Sequence, residues 1–215
     1  MVRRDFLSTW ARRLAVGMVL LAGAPGAGAA VAPAPTAPDV LVKELYQKWL
    51  STARAQREAL ARDKRKLYAL TDEVSGPYID YQRLGRLVLG KHWRAASPEQ
   101  RERFIREFRA HLVRTYATAM FDYIDADFEF KPVKYRPGDR QVIVYTVTRP
   151  KDGRPSIPIN YVLYFNGERW QAMDVIVEGV SVVTTLRSIV RSEVQRKSLD
   201  GVIAELAEKN RKALQ

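Results

Sequence analysis

Residues 141–149 read QVIVYTVTR, and residues 157–165 read IPINYVLYF. Between them lies Lys151-Asp152-Gly153; after the second come Asn166-Gly167 and then WQAMDVIV over 170–177. β-Branched and aromatic residues crowd these runs, and the breaks carry the residues that tight turns demand. The combination predicts antiparallel strands joined as hairpins. Upstream, Phe128 and Phe130 alternate with Glu129 and Lys131, and Pro137-Gly138-Asp139 separates that run from Gln141. The whole stretch predicts a meander of about four strands. Within it Ile143, Tyr145, Val147, Ile159, Tyr161 and Leu163 read as one apolar face.

The period changes on either side of the meander. Ser97-Pro98-Glu99-Gln100 is a capping box with proline at the first helical position. Phe104, Phe108, Leu112, Thr115 and Ala119 then mark one stripe of a long helix ending near Tyr123. Earlier, Leu41, Leu45, Trp49 and Ala53 repeat at helical spacing behind Asp39, a candidate N-cap. Gly76-Pro77 breaks the chain, helical spacing resumes over Tyr78–Leu89, and Gly90 stops it. Arg54–Lys66 is too polar to decide between helix and loop. Helices return over Val182–Arg196 and Leu199–Lys212. The predicted class is α+β: several helices on one face of a curved antiparallel sheet.

The first thirty residues stand apart. Arg3, Arg4, Arg12 and Arg13 precede the apolar run Leu14–Ala22, and Ala27-Gly28-Ala29 is a small-residue cleavage signal. Basic, apolar, small is the order of a secretory leader, and nine apolar residues are too few to span a bilayer. Arg3-Arg4-Asp5-Phe6-Leu7 also fits a twin-arginine signal, so the general and twin-arginine export routes both stay open. Residues 1–29 are read as the leader, 30–38 as a Pro/Ala linker, and 39–213 as one domain in the periplasm. The absence of cysteine among 215 residues suits that compartment and removes disulfides, thiol nucleophiles and Cys-metal sites. The leader carries four Arg and one Asp, which is +3 of the net +12, and leaves +9 on the rest. A basic surplus favours anionic membranes or acidic partners. Export argues against nucleic acid.

Candidates for chemistry are few. Ser181 lacks the second glycine of a nucleophile elbow, since position 183 is Val, and reads as the cap of the helix that follows. His92 and His111 have no catalytic motif around them. Asp122, Asp125, Asp127 and Glu129 lack the glycine and terminal glutamate of a calcium loop. No cofactor or metal is expected. Arg101, Arg103, Arg106, Arg109 and Arg114 on the long helix read as paired surface charge or as a docking face for acidic partners.

In order, Val88-Leu89-Gly90-x-x-Trp93-Arg94-x-Ala96-Ser97-x-x-Gln100-Arg101-x-x-Phe104-x-x-x-Phe108 and Tyr116 are followed by Gly153-Arg154-Pro155 and Trp170-Gln171-Ala172-x-Asp174. Glu178-Gly179-Val180-Ser181 and Leu199-Asp200-Gly201-Val202 complete the set. This ordered set resembles the MlaC, or toluene-tolerance auxiliary component, family of periplasmic phospholipid-binding proteins. It covers about Leu41 to Lys209; Arg54–Lys66 matches least, and the linker does not match. The resemblance implies a non-enzymatic, monomeric lipid carrier. Such a carrier would shuttle phospholipid between an inner-membrane ABC-transporter complex and an outer-membrane lipoprotein complex and so maintain outer-membrane lipid asymmetry. It further implies an apolar pocket that hides acyl chains and leaves the headgroup exposed. The expected lining is Ile143, Tyr145, Val147, Ile159, Tyr161 and Leu163 from the sheet, with Leu89, Phe108, Leu112 and Tyr116 from helices. Two other readings stay open. One is a periplasmic enzyme for a small hydrophobic substrate, using Asp174 with Tyr145 or Tyr161. The other is a ligand-free assembly module with a filled core.

Overall fold

The computed structural model describes residues 36–136 and 138–214. The leader and most of the Pro/Ala linker lie outside the described residues. Seven helices and one open five-stranded antiparallel sheet make up the fold, as the α+β reading expects. Five helices precede the long central one: α1 (Pro38–Ala55), α2 (Arg57–Arg62), α3 (Lys64–Ser75), α4 (Tyr81–Leu89) and α5 (Lys91–Ala95) lead into α6 (Pro98–Asp122). The strands β1 (Asp127–Phe130), β2 (Gln141–Arg149), β3 (Ile157–Phe165), β4 (Trp170–Val177) and β5 (Val180–Ser181) pair in sequence order. Helix α7 (Val182–Lys212) closes the chain, with a break at Lys197 and Ser198 that divides it where two helices were expected.

Local chemistry accounts for the boundaries. Ser97 accepts from Gln100 N–H while the Gln100 side chain accepts from Ser97 N–H, so the capping box at α6 is complete. Asp80 and Asp63 cap α4 and α3 in the same way. Asp39 does not cap α1. The cap position is Ala37, Pro38 takes the first helical turn, and Asp39 stands inside it as an acidic residue favourable to the helix dipole. The polar stretch Arg54–Lys66 is helical, broken at Gln56 and Asp63. Its Leu60, with Leu67 just beyond it, is buried against Trp49 and Ala53. Gly90 ends α4 with φ +54, where a side chain would also crowd Arg187.

Three apolar clusters hold the domain. In one, α4, α6 and α7 meet around Phe104, which stacks on Phe108 with ring centroids 5.3 Å apart. In a second, α1, α2 and α3 pack on the last turns of α6, and the buried Trp49 Nε1–H donates to Thr71 Oγ1 at 2.9 Å. The third joins Leu41, Val42 and Leu45 of α1 to Val142, Val144, Leu163 and Trp170 of the sheet. Helix α6 packs on α3, α4 and α7 and makes little contact with any strand.

The register corrects the expected apolar face. Opposite β2–β3 partners point to the same side of a sheet, and Val142 pairs with Leu163, Val144 with Tyr161 and Thr146 with Ile159. The even-numbered residues of β2 therefore share the helix-covered face with Ile159, Tyr161 and Leu163. Ile143, Tyr145 and Val147 lie on the other face, beside Val162, Asn160 and Pro158. Tyr145 is 45% exposed there. The physical reason is polar anchoring of the odd-numbered row: it runs from exposed Gln141 to exposed Arg149, and Val147 pairs with exposed Glu129. A slip of one residue reverses the whole strand.

Candidate functional site

The helix-covered face of the sheet has two zones. At one end Val142, Val144, Leu163 and Trp170 are buried in the third cluster. On the same face Ile157, Ile159 and Tyr161 of β3 and Val175 and Val177 of β4 stay only half-buried, whereas Thr146 and Thr148 of β2 beside them are buried. The last turns of α6 run beside the hairpin that joins β2 to β3. Arg154, at the tip of the β2–β3 hairpin, lies over the Tyr123 ring at 4.2 Å and donates to Asp122 O. Tyr116 and Met120 of α6 are half-buried in turn. These half-buried apolar rows, one on β3 and β4 and one on the last turns of α6, are the candidate site.

Of the residues expected to line a pocket, Ile159 and Tyr161 belong to the half-buried row of the sheet and Tyr116 to that of α6. Burial pushes the Tyr161 hydroxyl up to about 12 and the Tyr116 hydroxyl, which also feels Asp174, up to about 12. Leu163 belongs to the packed zone. Leu89 and Phe108, each 2% exposed, are enclosed in the α4–α6–α7 cluster, and Leu112 lies at its edge. Ile143 and Tyr145 instead line an open groove of about 540 Å³ with Pro132, Lys134, Gln141 and Val142. The expected apolar face left out Thr146, Thr148, Val175, Val177 and Phe128, which register places on the helix-covered side. The available signal was the polar pair Gln141 and Arg149 bracketing the wrong row.

The catalytic candidates are engaged in structure. Asp174 Oδ1 accepts from the backbone N–H of Val175 and Val183, and Oδ2 accepts from the Ser181 hydroxyl at 2.5 Å. Ser181 Oγ in turn caps α7 by accepting from Thr184 N–H at 3.0 Å. This carboxylate fastens α7 to the sheet edge at a β-bulge. Asp174 pairs in register with Val162, on the face of Tyr145 and opposite to that of Tyr161. The acidic cluster is neutralised by Arg57 on Asp125, Lys151 on Asp127 and Arg149 on Glu129. Among the described residues no group of three or more His, Asp or Glu could hold a metal ion.

The arginines of α6 tie helices together. Arg101 reaches Trp93 O, Arg103 pairs with Asp200, Arg109 grips Asp72 through two bonds, and Arg114 reaches Lys209 O. His111 Nδ1 meets Arg114 Nη2 at 2.9 Å. Burial first, then Arg114 and Lys209, hold the imidazole below its ordinary value. The folded state therefore binds fewer protons than the unfolded chain, whose histidine titrates near ~6.5. This contribution to stability is complete above that value and is lost as pH falls through it towards the lowered folded value. Thermal melts should shift down between about pH 7.5 and pH 5.5, and shift less in His111→Gln. Equal shifts in the two proteins would remove His111 as the cause.

Among the described residues, no helix is long and apolar enough to cross a membrane. The family model described as MlaC protein matches residues 43–208. The toluene tolerance protein ttg2D of Pseudomonas putida is 26% identical over 177 residues, 79% of this chain and 81% of its own. The intermembrane phospholipid transport system binding protein MlaC of Haemophilus influenzae is 26% identical over 153 residues, covering 70% of this chain and 71% of its own. The fold is shared with the phospholipid-binding protein from Ralstonia solanacearum, solved in complex with a phospholipid. That match has a TM-score of 0.73 and 21% identity, over 82% of this chain and 98% of that one.

Proposed function

The chain belongs to the MlaC family, and from that premise we propose that it is a non-enzymatic carrier holding phospholipid tails in the cleft between α6 and the sheet. The observation that carries this reading is the half-buried apolar row Ile157, Ile159, Tyr161, Val175 and Val177. It lies on a sheet face whose β2 row, Val142, Val144, Thr146 and Thr148, is packed to near-complete burial. Apolar strand faces ordinarily pack throughout, and one that opens midway is suited to apolar cargo.

The energetics favour a shuttle. Each buried CH₂ is worth ~0.8 kcal/mol, so two sixteen-carbon tails amount to roughly 25 kcal/mol. Leaving a bilayer costs about the same, so loading and unloading are nearly balanced. Direction is then set by the partners, which in this reading are an inner-membrane ABC-transporter complex and an outer-membrane lipoprotein complex. The compartment is the periplasm, and the consequence is maintenance of outer-membrane lipid asymmetry. The use of Asp174 as a fastening between α7 and the sheet supports the absence of catalysis.

The test is transfer of fluorescent phosphatidylglycerol from donor to acceptor vesicles with protein added. The carrier reading expects a rate proportional to protein concentration. Transfer no faster than in its absence, together with no lipid bound to the protein, would overturn it.

A further inference from the structure

Two hydroxyls sit inside the apolar layer without a hydrogen-bond partner: Thr148 Oγ1, on a side chain 1% exposed, and Tyr46 Oη of α1. They lie against the same aromatic ring. The Tyr46 ring centroid is 3.9 Å from that of Phe128, and Phe128 is the direct cross-strand neighbour of Thr148. Thr146, one position along the same face, shows what a satisfied threonine looks like there, because its hydroxyl donates to Ile159 O. A third hydroxyl, that of Tyr161, is near enough for its charge to be felt by Tyr46 and is perturbed by burial alone. A buried hydroxyl left unpaired is costly, and a fold keeps one where something else completes it.

A cleft for saturated tails has no use for buried donors unless the cargo brings acceptors to them. The polar atoms closest to lipid tails are the carbonyl oxygens that join them to glycerol. We propose that Tyr46 and Thr148 form an ester-reading subsite, donating to the acyl carbonyls of a diacyl glycerolipid. The inference rests on the carrier reading and deepens it. Placing the carbonyls at Tyr46 and Thr148 fixes where the tails begin. Selectivity then comes from the linkage and not from the headgroup, because an ether-linked lipid with the same tails leaves both hydroxyls unpaired.

The experiment offers the purified protein vesicles containing equal amounts of diester and diether phosphatidylglycerol with matched chains, and counts each by native mass spectrometry. The wild type should take the diester in roughly tenfold or greater excess, as expected when a buried group loses its partner. In Thr148→Val and Tyr46→Phe that ratio should fall towards one as diester uptake drops towards the diether level, while Thr148→Ser keeps it. Equal uptake by the wild type, or variants that retain the wild-type preference, would overturn the ester-reading subsite and leave the carrier reading intact. Uptake of neither lipid by the wild type would overturn both.

Discussion

Ile159→Asp yields a folded protein that has lost its lipid. Ile159 lies opposite Thr146 and Val177 on the helix-covered face and is only half-buried. An aspartate there keeps contact with water while the cleft is empty, so the fold loses on the order of 1 kcal/mol, the typical cost of a point substitution. With tails in place the same carboxylate must be dehydrated without a counter-charge, which costs several kcal/mol. Bound lipid should drop to below about a tenth of the wild-type amount, with far-ultraviolet circular dichroism unchanged. Tyr145→Asp, on the other face, should keep its lipid. A folded Ile159→Asp protein with full lipid content would exclude this row from the site.

Leu163→Asp, four residues along the same face, should abolish folding. Leu163 is 3% exposed and packs with Val142, Val144 and Trp170 against Leu41 and Val42 of α1. Removing its apolar side chain costs about 2–5 kcal/mol, and an unpaired buried charge adds several more. Together these match the ~5–15 kcal/mol that holds a typical domain folded. Urea titration by circular dichroism should find no cooperative transition. A transition within about 0.5 M of the wild-type midpoint, with urea slopes of the usual ~1–3 kcal/mol/M, would mean that the packed zone of the sheet has been misplaced.

The contrast between these two positions marks how far the sequence could be read. Strand limits were legible because turn residues bracket each run; Gln141–Arg149, Ile157–Phe165 and Trp170–Val177 are the observed bounds of β2, β3 and β4. The capping box at Ser97 and the cap at Ser181 were legible because their side chains act within four residues. The face of β2 was not, since both of its rows are apolar and hydrophobicity alone chose the richer one. The polar ends Gln141 and Arg149 only hint at the choice, and the pairing of Val147 with Glu129, a contact across strands, settles it. Helix α5 carries no legible signal because its five residues, Lys91–Ala95, are too few to display a period. Leu89 and Phe108 carried the correct apolar spacing, but spacing cannot say whether a buried side chain meets a neighbouring helix or a ligand. Tyr46 and Thr148 were invisible, because an unpaired hydroxyl is a property of what surrounds it.

The central claim is that the cleft between α6 and the sheet holds phospholipid tails. Native mass spectrometry of the protein purified without added lipid, followed by organic extraction of the same sample, addresses it most directly. The account predicts a mass excess equal to at least one phospholipid, with that lipid recovered in the extract. A bare polypeptide mass that stays bare after incubation with liposomes would contradict it.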